Sequence, residues 1–181
     1  MKKKSRAEFF KKARERSGFE INWFQHHRKS RTHLIFETVV GQAQAKIKSF
    51  RIFDFDISIR GRREPLKLPK IKTFTISAAE DQEYLKDHIK VHQATRAKGQ
   101  VPQEGAANKA PVPEGLIEKA IAEDKQLAIM LLNGTILVGV PVKESTFSIL
   151  LKVPDSNGRE IFVFKHGLIG IRLYEEIQPP G

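Results

Sequence analysis

Apolar and polar residues alternate in two sections of the chain, and a stretch with few large apolar side chains separates these sections. The second section, from Leu127 onward, holds five short alternating runs joined by turns rich in Gly, Asn, Asp and Ser. Alternation of this kind, broken by such turns, predicts short antiparallel strands. Ahead of them, Leu116, Ile117 and Ala120 recur at helical spacing. One helix followed by five strands predicts a small, strongly bent barrel.

The first section repeats the same order more faintly. Residues 20–78 predict a helix, a strand, a turn, a bent strand, a further strand, a basic spacer (RGRREPLKLP) and a last strand. Repetition in a fixed order indicates an internal repeat. Extending the five-stranded pattern of the second section to the first, the predicted fold class is all-β with short helices, arranged as two five-stranded bent barrels that are each preceded by a helix.

The boundaries between these sections follow from composition. The stretch from His92 to Gly115 is rich in Pro, Gly and Ala and predicts a linker. Before it, Tyr84, Leu85 and Ile89 have helical spacing behind Ser77, a candidate N-cap, and predict a helix. The predicted organisation is a basic N-terminal helical extension at 1–18, a first domain at 19–78, a helix and linker at 79–115, and a second domain at 116–177.

The extension has helix signals of its own. Ser5 and Glu8 fit a capping box, and Gly18 is expected to end the helix from Arg6 to Ser17 in a left-handed conformation. Its apolar Phe9 and Phe10 lie among basic residues. Such a helix would lie on RNA, on the assembled protein itself, on an acidic partner or in solvent.

Charge is divided unevenly along the chain. Residues 1–98 carry 24 Lys and Arg against 11 Asp and Glu, whereas residues 99–181 carry 8 against 10. A basic surface attracts phosphate backbones by counterion release, and it also attracts anionic membrane surfaces. A run long and apolar enough to span a bilayer is absent from the sequence, and we expect a cytoplasmic protein that is not in a membrane. The chain has no cysteine, which excludes disulfides, thiol catalysis and Cys-ligated zinc.

The second section resembles a known family in several spaced features. The run IMLLNGTILVGVPVKESTFSILLK, followed by IFVFKHGLIGI, is similar to the two Sm motifs of Hfq, the bacterial Sm-like RNA chaperone. Gly139, Phe147 and the pair Lys165-His166 fall in register with these motifs. The segment IKSFRIFDFDISI of the first section resembles the same strands, with Phe53 at the place of Phe147. The resemblance implies two divergent Sm-like units in tandem.

This resemblance implies an RNA-binding surface. Lys165, His166 and Gly167 would form the turn between the fourth and fifth strands at a central pore, and Phe147 would stack on a base. The residues implied for the pore-side pocket, which in the family takes U-rich single-stranded RNA, are Phe147, Lys165, His166, Thr146 and Phe53. Thr146 replaces the family's glutamine, which weakens the expectation of uridine selectivity. In the first unit, Thr73 and Phe74 are interpreted as standing in place of the Lys-His pair.

The basic excess implies a second set of RNA contacts. Residues 28–31 resemble the family's arginine-rich rim, and a further basic run follows the third strand of the first unit. The residues predicted to contact phosphate at the rim and in this loop are Arg28, Lys29, Arg31, Arg60, Arg62 and Arg63. Solvated charge is the alternative interpretation. On strand 2 of the second unit, Ile136 and Val138 replace the polar residues that read adenine-rich RNA in the family, so adenine-tract binding there is not expected.

The family closes rings of six units by pairing the fourth strand of one unit with the fifth of the next. Two units in one chain therefore imply a homotrimer with pseudo-hexameric symmetry. Two stacked rings, or a true hexamer with one half of each chain outside the ring, are the alternatives. The implied function is riboregulation or RNA chaperoning by a ring that binds single-stranded RNA.

Two other classes of function are an enzyme or metal-binding protein and a protein-binding scaffold. His88 and His92 have the spacing of a two-histidine metal site on a helix, but the sequence shows no third ligand. Phosphate-binding loops, nucleophile elbows and paired-carboxylate motifs are also absent. We therefore expect no enzyme, no metal and no cofactor. A ring that serves as a protein-binding scaffold with little RNA-chaperone activity is the alternative function.

Overall fold

The computed structural model describes residues 18–99, 112–154 and 158–174. These residues are mostly β with short helices, which confirms that part of the predicted fold class. The helices are α1 (Gly18–Lys29), α2 (Gln82–Leu85), α3 (Gln93–Ala97) and α4 (Leu116–Ala122). The strands are β1 (Leu34–Thr38), β2 (Gly41–Phe50), β3 (Asp54–Ile59), β4 (Leu66–Pro69), β5 (Thr73–Ala78), β6 (Ile89–Val91), β7 (Leu127–Leu131), β8 (Thr135–Glu144), β9 (Ser148–Lys152), β10 (Glu160–Phe164) and β11 (Leu168–Leu173).

The strands form one open antiparallel sheet in the order β11-β7-β8-β9-β10-β5-β1-β2-β3-β4, with β6 attached to β8. The prediction of two separate barrels is therefore wrong. The two halves merge because β10 pairs with β5, with Phe162 opposite Ile76 and Val163 opposite Thr75. We call this pairing the internal joint.

The same five-stranded pattern occurs twice in the sheet. We call β1 to β5 the first repeat and β7 to β11 the second repeat. In each repeat the order is fifth, first, second, third and fourth strand. The registers also agree, since a bulge follows the pair Ile47–Ile57 in the first repeat and the equivalent pair Pro141–Leu151 in the second. Pro141 has no N–H to donate to a ladder, which suits the residue before a bulge.

Strand β10 supplies side chains to two hydrophobic cores. Because successive residues of a strand point to opposite faces, Ile161 and Val163 enter the core of the second repeat, together with Phe74 from the first. Phe162 and Phe164 enter the core of the first repeat, where Phe162 packs on helix α1. Each repeat is therefore completed by residues of the other.

The segment between the repeats differs from its prediction. Ser77 lies in β5, and residues 82–97 form two short helices on either side of β6 rather than one helix. In β6, Lys90 lies opposite Ile136 of β8, and His92 N donates to Gly134 O at 2.8 Å. A short isolated helix is marginal in water, so pairing with an open strand edge prevails over helical spacing.

The predictions for the N-terminal extension and the linker concern residues that are partly outside the described ranges. The predicted helix from Arg6 to Ser17 lies outside the described residues, as do residues 100–111 of the predicted linker. Gly18, expected to end that helix in a left-handed conformation, is instead helical within α1 and has no positive φ.

The shared cores predict how the chain unfolds. Phe162 is fully buried, and replacing such a phenylalanine with alanine typically costs about 3–5 kcal/mol. We expect Phe162→Ala to lower the free energy of unfolding in urea by about that amount, and native protein to unfold in one transition that involves both repeats. Phe53→Ala, at an exposed site, is the matched control and should change stability by about 0.5 kcal/mol or less. Two separate transitions would contradict the shared cores.

Candidate nucleic-acid interface

Each repeat places an aromatic loop against a basic turn. The loop Arg51–Phe53 follows β2, and the loop Ser145–Phe147 follows β8 in the equivalent position. A 3-10 turn lies beside each loop, namely Lys70–Lys72 (the first turn) and Lys165–Gly167 (the second turn). Lys70 N donates to Phe53 O and Lys165 N donates to Phe147 O, both at 2.8 Å. The predicted equivalence of Phe53 and Phe147 thus has a geometric basis.

The predicted alignment of the first turn with the second turn is wrong, because it is shifted along the sequence. Ile71, rather than Thr73 or Phe74, occupies the place of His166, and Lys70 occupies the place of Lys165. The hydrogen bond from each turn to its aromatic loop gives the correct equivalence, and it places Thr73 and Phe74 three residues beyond Lys70 and Ile71. Thr73 and Phe74 are the first residues of β5 and are fully buried.

In the second repeat, the lysine of the turn is neutralised by a carboxylate. Lys165 donates to Glu144 in an ion pair whose side chains are only 11% and 18% exposed. Thr146 is exposed and Phe147 is half-buried. The loop is held from beneath by Ser145 and Ser148, which both donate to the buried carboxylate of Glu20 on α1. The charge of Lys165 is therefore paired and largely shielded from solvent on this side of the candidate site.

His166 connects the two turns across the internal joint. Its Nε2 lies 2.8 Å from the carbonyl oxygen of Thr73, so the neutral tautomer with Nε2–H donates that hydrogen bond. The ring also stacks on Phe164 with centroids 5.4 Å apart. Burial lowers the pKa of His166, with the hydrogen bond to Thr73 opposing that shift. His166 is therefore neutral at pH 7, and its Nε2–H is already engaged.

In the first repeat, the aromatic residue is open to solvent. Phe53 is 70% exposed and its neighbour Ile52 is 67% exposed. The ammonium of Lys70 lies 5.0 Å from the ring centroid of Phe24 and 5.1 Å from that of Phe55. Burial lowers the pKa of Lys70, whereas Glu20 and Asp54 act in the opposite direction. This loop offers a flat apolar surface beside the exposed side chain of Lys72.

The predicted basic residues are exposed but belong to other places on the surface. Arg28 and Lys29 end α1, and Arg31 follows with a positive φ of 54°. Arg60, Arg62 and Arg63 lie in the loop between β3 and β4, at the far end of that hairpin from Phe53. Because β3 has six residues, this loop lies roughly 20 Å from Phe53. The structure brings the aromatic loops and turns together, but it places this basic loop apart from them.

Sequence reasoning missed three buried carboxylates. Glu20, Glu37 and Glu144 are partners of residues in the other repeat or in a distant turn. Glu37 accepts hydrogen bonds from Asn133 Nδ2 at 2.8 Å and from Thr135 Oγ1 at 2.9 Å. Partners so distant along the chain leave no spacing signal. The only local sign was an acidic residue within an otherwise apolar strand run.

A cavity of about 550 Å³ lies between α1 and the start of β10, away from the aromatic loops. Nδ1 of His27, on α1, is the one buried side-chain nitrogen or oxygen without a hydrogen-bond partner among the described residues. Burial, with a smaller effect of His26, lowers the pKa of His27 to about 4. The wall of the cavity also includes Arg159, which pairs with Asp81.

Comparison with protein-family models, curated proteins and solved structures gives no match for this chain. Among the described residues, no helix is long and apolar enough to cross a membrane. The same part of the chain contains no cluster of three or more His, Asp or Glu side chains arranged to hold a metal ion. His88 and His92 do not share a helix, because β6 separates them, and His88 stacks on Tyr84.

The ion pair between Lys165 and Glu144 makes a testable prediction. Removing one partner of a buried pair leaves an uncompensated charge, at a cost of about 3–5 kcal/mol when burial is complete. We expect Glu144→Gln to lower the free energy of unfolding by somewhat less than this, since the pair is partly exposed. The double variant Glu144→Gln/Lys165→Met should recover most of the loss in urea unfolding.

Glu123→Gln is the control, since this exposed carboxylate also pairs with a lysine, Lys125. It should change stability little. If the double variant is as unstable as Glu144→Gln alone, the ion pair does not explain the burial of Lys165.

Proposed function

We propose that this chain is a tandem Sm-like protein that forms a ring and binds single-stranded RNA without a chemical step. The observation that carries the proposal is the internal joint. The fourth strand of the second repeat pairs with the fifth strand of the first, and both repeats have the same strand order. This is the pairing by which the resembled family joins one unit to the next.

The two ends of the sheet support ring closure. Strand β4 pairs only with β3 among the described strands, and β11 pairs only with β7. They are the fourth strand of the first repeat and the fifth strand of the second, so they can pair between copies as β10 and β5 pair within one. Exposed strand edges are templates for such pairing. Three copies would close a ring of six repeats.

The internal joint also gives the register of pairing between copies. Ile161 lies opposite Ser77 within the chain. The equivalent residues are Leu66 and Arg172, so we propose that Leu66 of one copy lies opposite Arg172 of the next. A hexamer with one half of each chain outside the ring would leave the joint without its role in closure, and the trimer is therefore favoured.

RNA binding rests on the open aromatic loop of the first repeat. Phe53 and Ile52 present a flat apolar surface, and base stacking on an aromatic ring is worth ~1–3 kcal/mol. Exposed cations beside the loop and at the end of α1 would bind phosphate. In this proposal Phe53 is the main stacking residue and Phe147 has a smaller role, because Phe147 is half-buried and Lys165 is paired with Glu144.

A protein-binding scaffold is a second candidate function. The engaged side chains of Lys165 and His166 favour it, since both would otherwise offer hydrogen-bond donors to a nucleic acid. The exposed Ile52 and Phe53 would suit an apolar partner equally well. Only RNA binding predicts a steep dependence on salt.

RNA binding is tested by fluorescence anisotropy with labelled oligouridine and oligoadenine across a salt series. We expect Phe53→Ala to weaken binding about tenfold or more, and Phe147→Ala to weaken it less. Changing Arg28, Lys29 and Arg31 together to Ala should weaken binding to all sequences. It should also reduce the salt slope by roughly 0.7 for each phosphate that these residues neutralise in the native protein.

Lys119→Ala/Lys125→Ala removes exposed charges at the end of α4 and is the matched control, with little expected effect on affinity. Weak binding that is independent of salt and equal in all variants would instead favour the scaffold.

Ring closure is tested by cross-linking, which the absence of cysteine makes specific. Directly opposite residues of antiparallel strands have Cα atoms about 4.5–5.5 Å apart, within the range that a disulfide spans. We expect Leu66→Cys/Arg172→Cys to form disulfide-linked species up to a trimer and no larger on a non-reducing gel. Leu66→Cys/Leu173→Cys moves one cysteine to the other face of β11 and should cross-link poorly. A ladder beyond the trimer, or equal cross-linking by both variants, would contradict a closed ring in this register.

A further inference from the structure

The internal joint and the proposed joint between copies use different side chains at equivalent positions. The positions correspond through hydrogen bonds that recur in both repeats. Val39 N donates to Lys72 O at 3.0 Å in the first repeat, and Leu132 N donates to Gly167 O at 2.8 Å in the second. Val39 and Leu132 are therefore equivalent. The residues that follow them, Val40 and Asn133, are equivalent too and lie in the turn after the first strand of each repeat.

At the internal joint this place is polar. Asn133 of the second repeat reaches across to the buried carboxylate of Glu37 in the first repeat and donates a 2.8 Å hydrogen bond. Thr135 donates to the same carboxylate at 2.9 Å, and Thr75 of β5 donates at 3.4 Å. Three donors from two repeats thus satisfy one carboxylate that is almost inaccessible to solvent.

At the joint between copies all of these positions lack polar side chains. Met130 is the equivalent of Glu37, because Met130 lies opposite Gly170 as Glu37 lies opposite Thr75. The equivalents of Asn133, Thr135 and Thr75 are Val40, Gly41 and Gly170. Val40 is 93% exposed in the single chain and is therefore accessible to a second copy.

A second pair of equivalent positions differs in side-chain size between the two joints. At the internal joint the ring of Phe74 lies on Gly167, and a Cβ atom at Gly167 would lie 2.5 Å from Phe74 Cδ1. The equivalents are Ile169 for Phe74 and Lys72 for Gly167. A turn that carries Lys72 cannot take the place of Gly167 against Phe74 without displacing that ring.

We propose that Val40 of one copy packs on Met130 of the next, and that this apolar contact, together with the polar contact of the internal joint, penalises assemblies in which the internal joint opens and repeats of the same type pair. The inference rests on the ring proposed above. If a first repeat joined another first repeat, the carboxylate of Glu37 would face Val40 and lose donors, while Phe74 would meet Lys72. If a second repeat joined another second repeat, the amide of Asn133 would face Met130. Specificity thus comes from penalties on wrong pairs as well as from the matched contact.

The test measures the mass of the full chain by native mass spectrometry and sedimentation across a dilution series. The native chain should assemble to three times its mass of 20.6 kDa. We expect Met130→Glu to raise the concentration needed for assembly at least tenfold, because its carboxylate would face Val40. Met130→Glu/Val40→Asn restores an amide donor, as at the internal joint, and should recover most of the assembly.

Two further variants distinguish loss of the contact between copies from misfolding and from an unrelated surface change. Val40→Glu places the charge on a side chain that is exposed in the single chain, so it should prevent assembly while circular dichroism and thermal melting remain native. Glu123→Gln changes an exposed carboxylate at the end of α4, which pairs with Lys125, and should assemble as the native chain does.

Three results would overturn the inference: a native chain that stays monomeric, a Val40→Glu variant that still forms trimers, or a double variant no better than folded Met130→Glu. Loss of RNA binding with normal assembly and rescue would overturn only the proposed RNA function. RNA binding by a monomeric chain would overturn the ring and this inference together.

Discussion

The pairing of β10 with β5 is the constraint on which the rest of the structure depends. A strand has two faces, and here each face of β10 is buried in a different core. If β10 left its partner, Phe162 and Phe164 would leave the first core, and the second core would lose its contact with Phe74. Neither repeat is therefore complete by itself, although each has its own five strands. The joint also brings the second turn beside the start of β5, where His166 meets Thr73.

Burial at this joint determines the electrostatics of the candidate interface. Charged groups that leave water require partners, since an unpaired buried charge is costly. Lys165 is paired with Glu144, Glu20 accepts from two serines, and Glu37 accepts from donors in both repeats. These groups serve the packing of the joint and are not available to a ligand. The surface left open to solvent is the loop of Phe53, together with the exposed cations of the first repeat.

The two ends of the sheet differ from the internal joint in ways that fit a weaker, reversible contact. Lys67 of β4 stands where β10 has the buried Phe162, and it forms an ion pair with Asp54 within the single chain. A lysine and Pro69 on an edge strand discourage indiscriminate pairing with other proteins. Such an edge would select a partner by the side chains around it. This is the role that the proposal gives to Val40 and Met130.

Local pattern was sufficient to predict much of the fold. Alternation gave the five strands from β7 to β11, helical spacing gave α4, and self-similarity suggested the same order in the first half. These properties depend on residues a few positions apart, so a single sequence displays them. The resemblance stated for the two sections also suggested Phe53 as the equivalent of Phe147. It misplaced the counterpart of the second turn by three residues, and the local pattern mistook β6 for part of a helix.

The sequence by itself determined most elements of the two repeats, their order and the uneven distribution of charge, since these follow from local spacing and composition. Only the tertiary structure decided that the halves share one sheet, that Lys165 and His166 are engaged, and that Phe53 is open while Phe147 is half-buried. The physical reason is that burial and strand pairing join residues about 85 to 130 positions apart along the chain, such as Val163 with Thr75 and Ser148 with Glu20. The spacing of neighbouring residues in the sequence therefore does not predict those pairs.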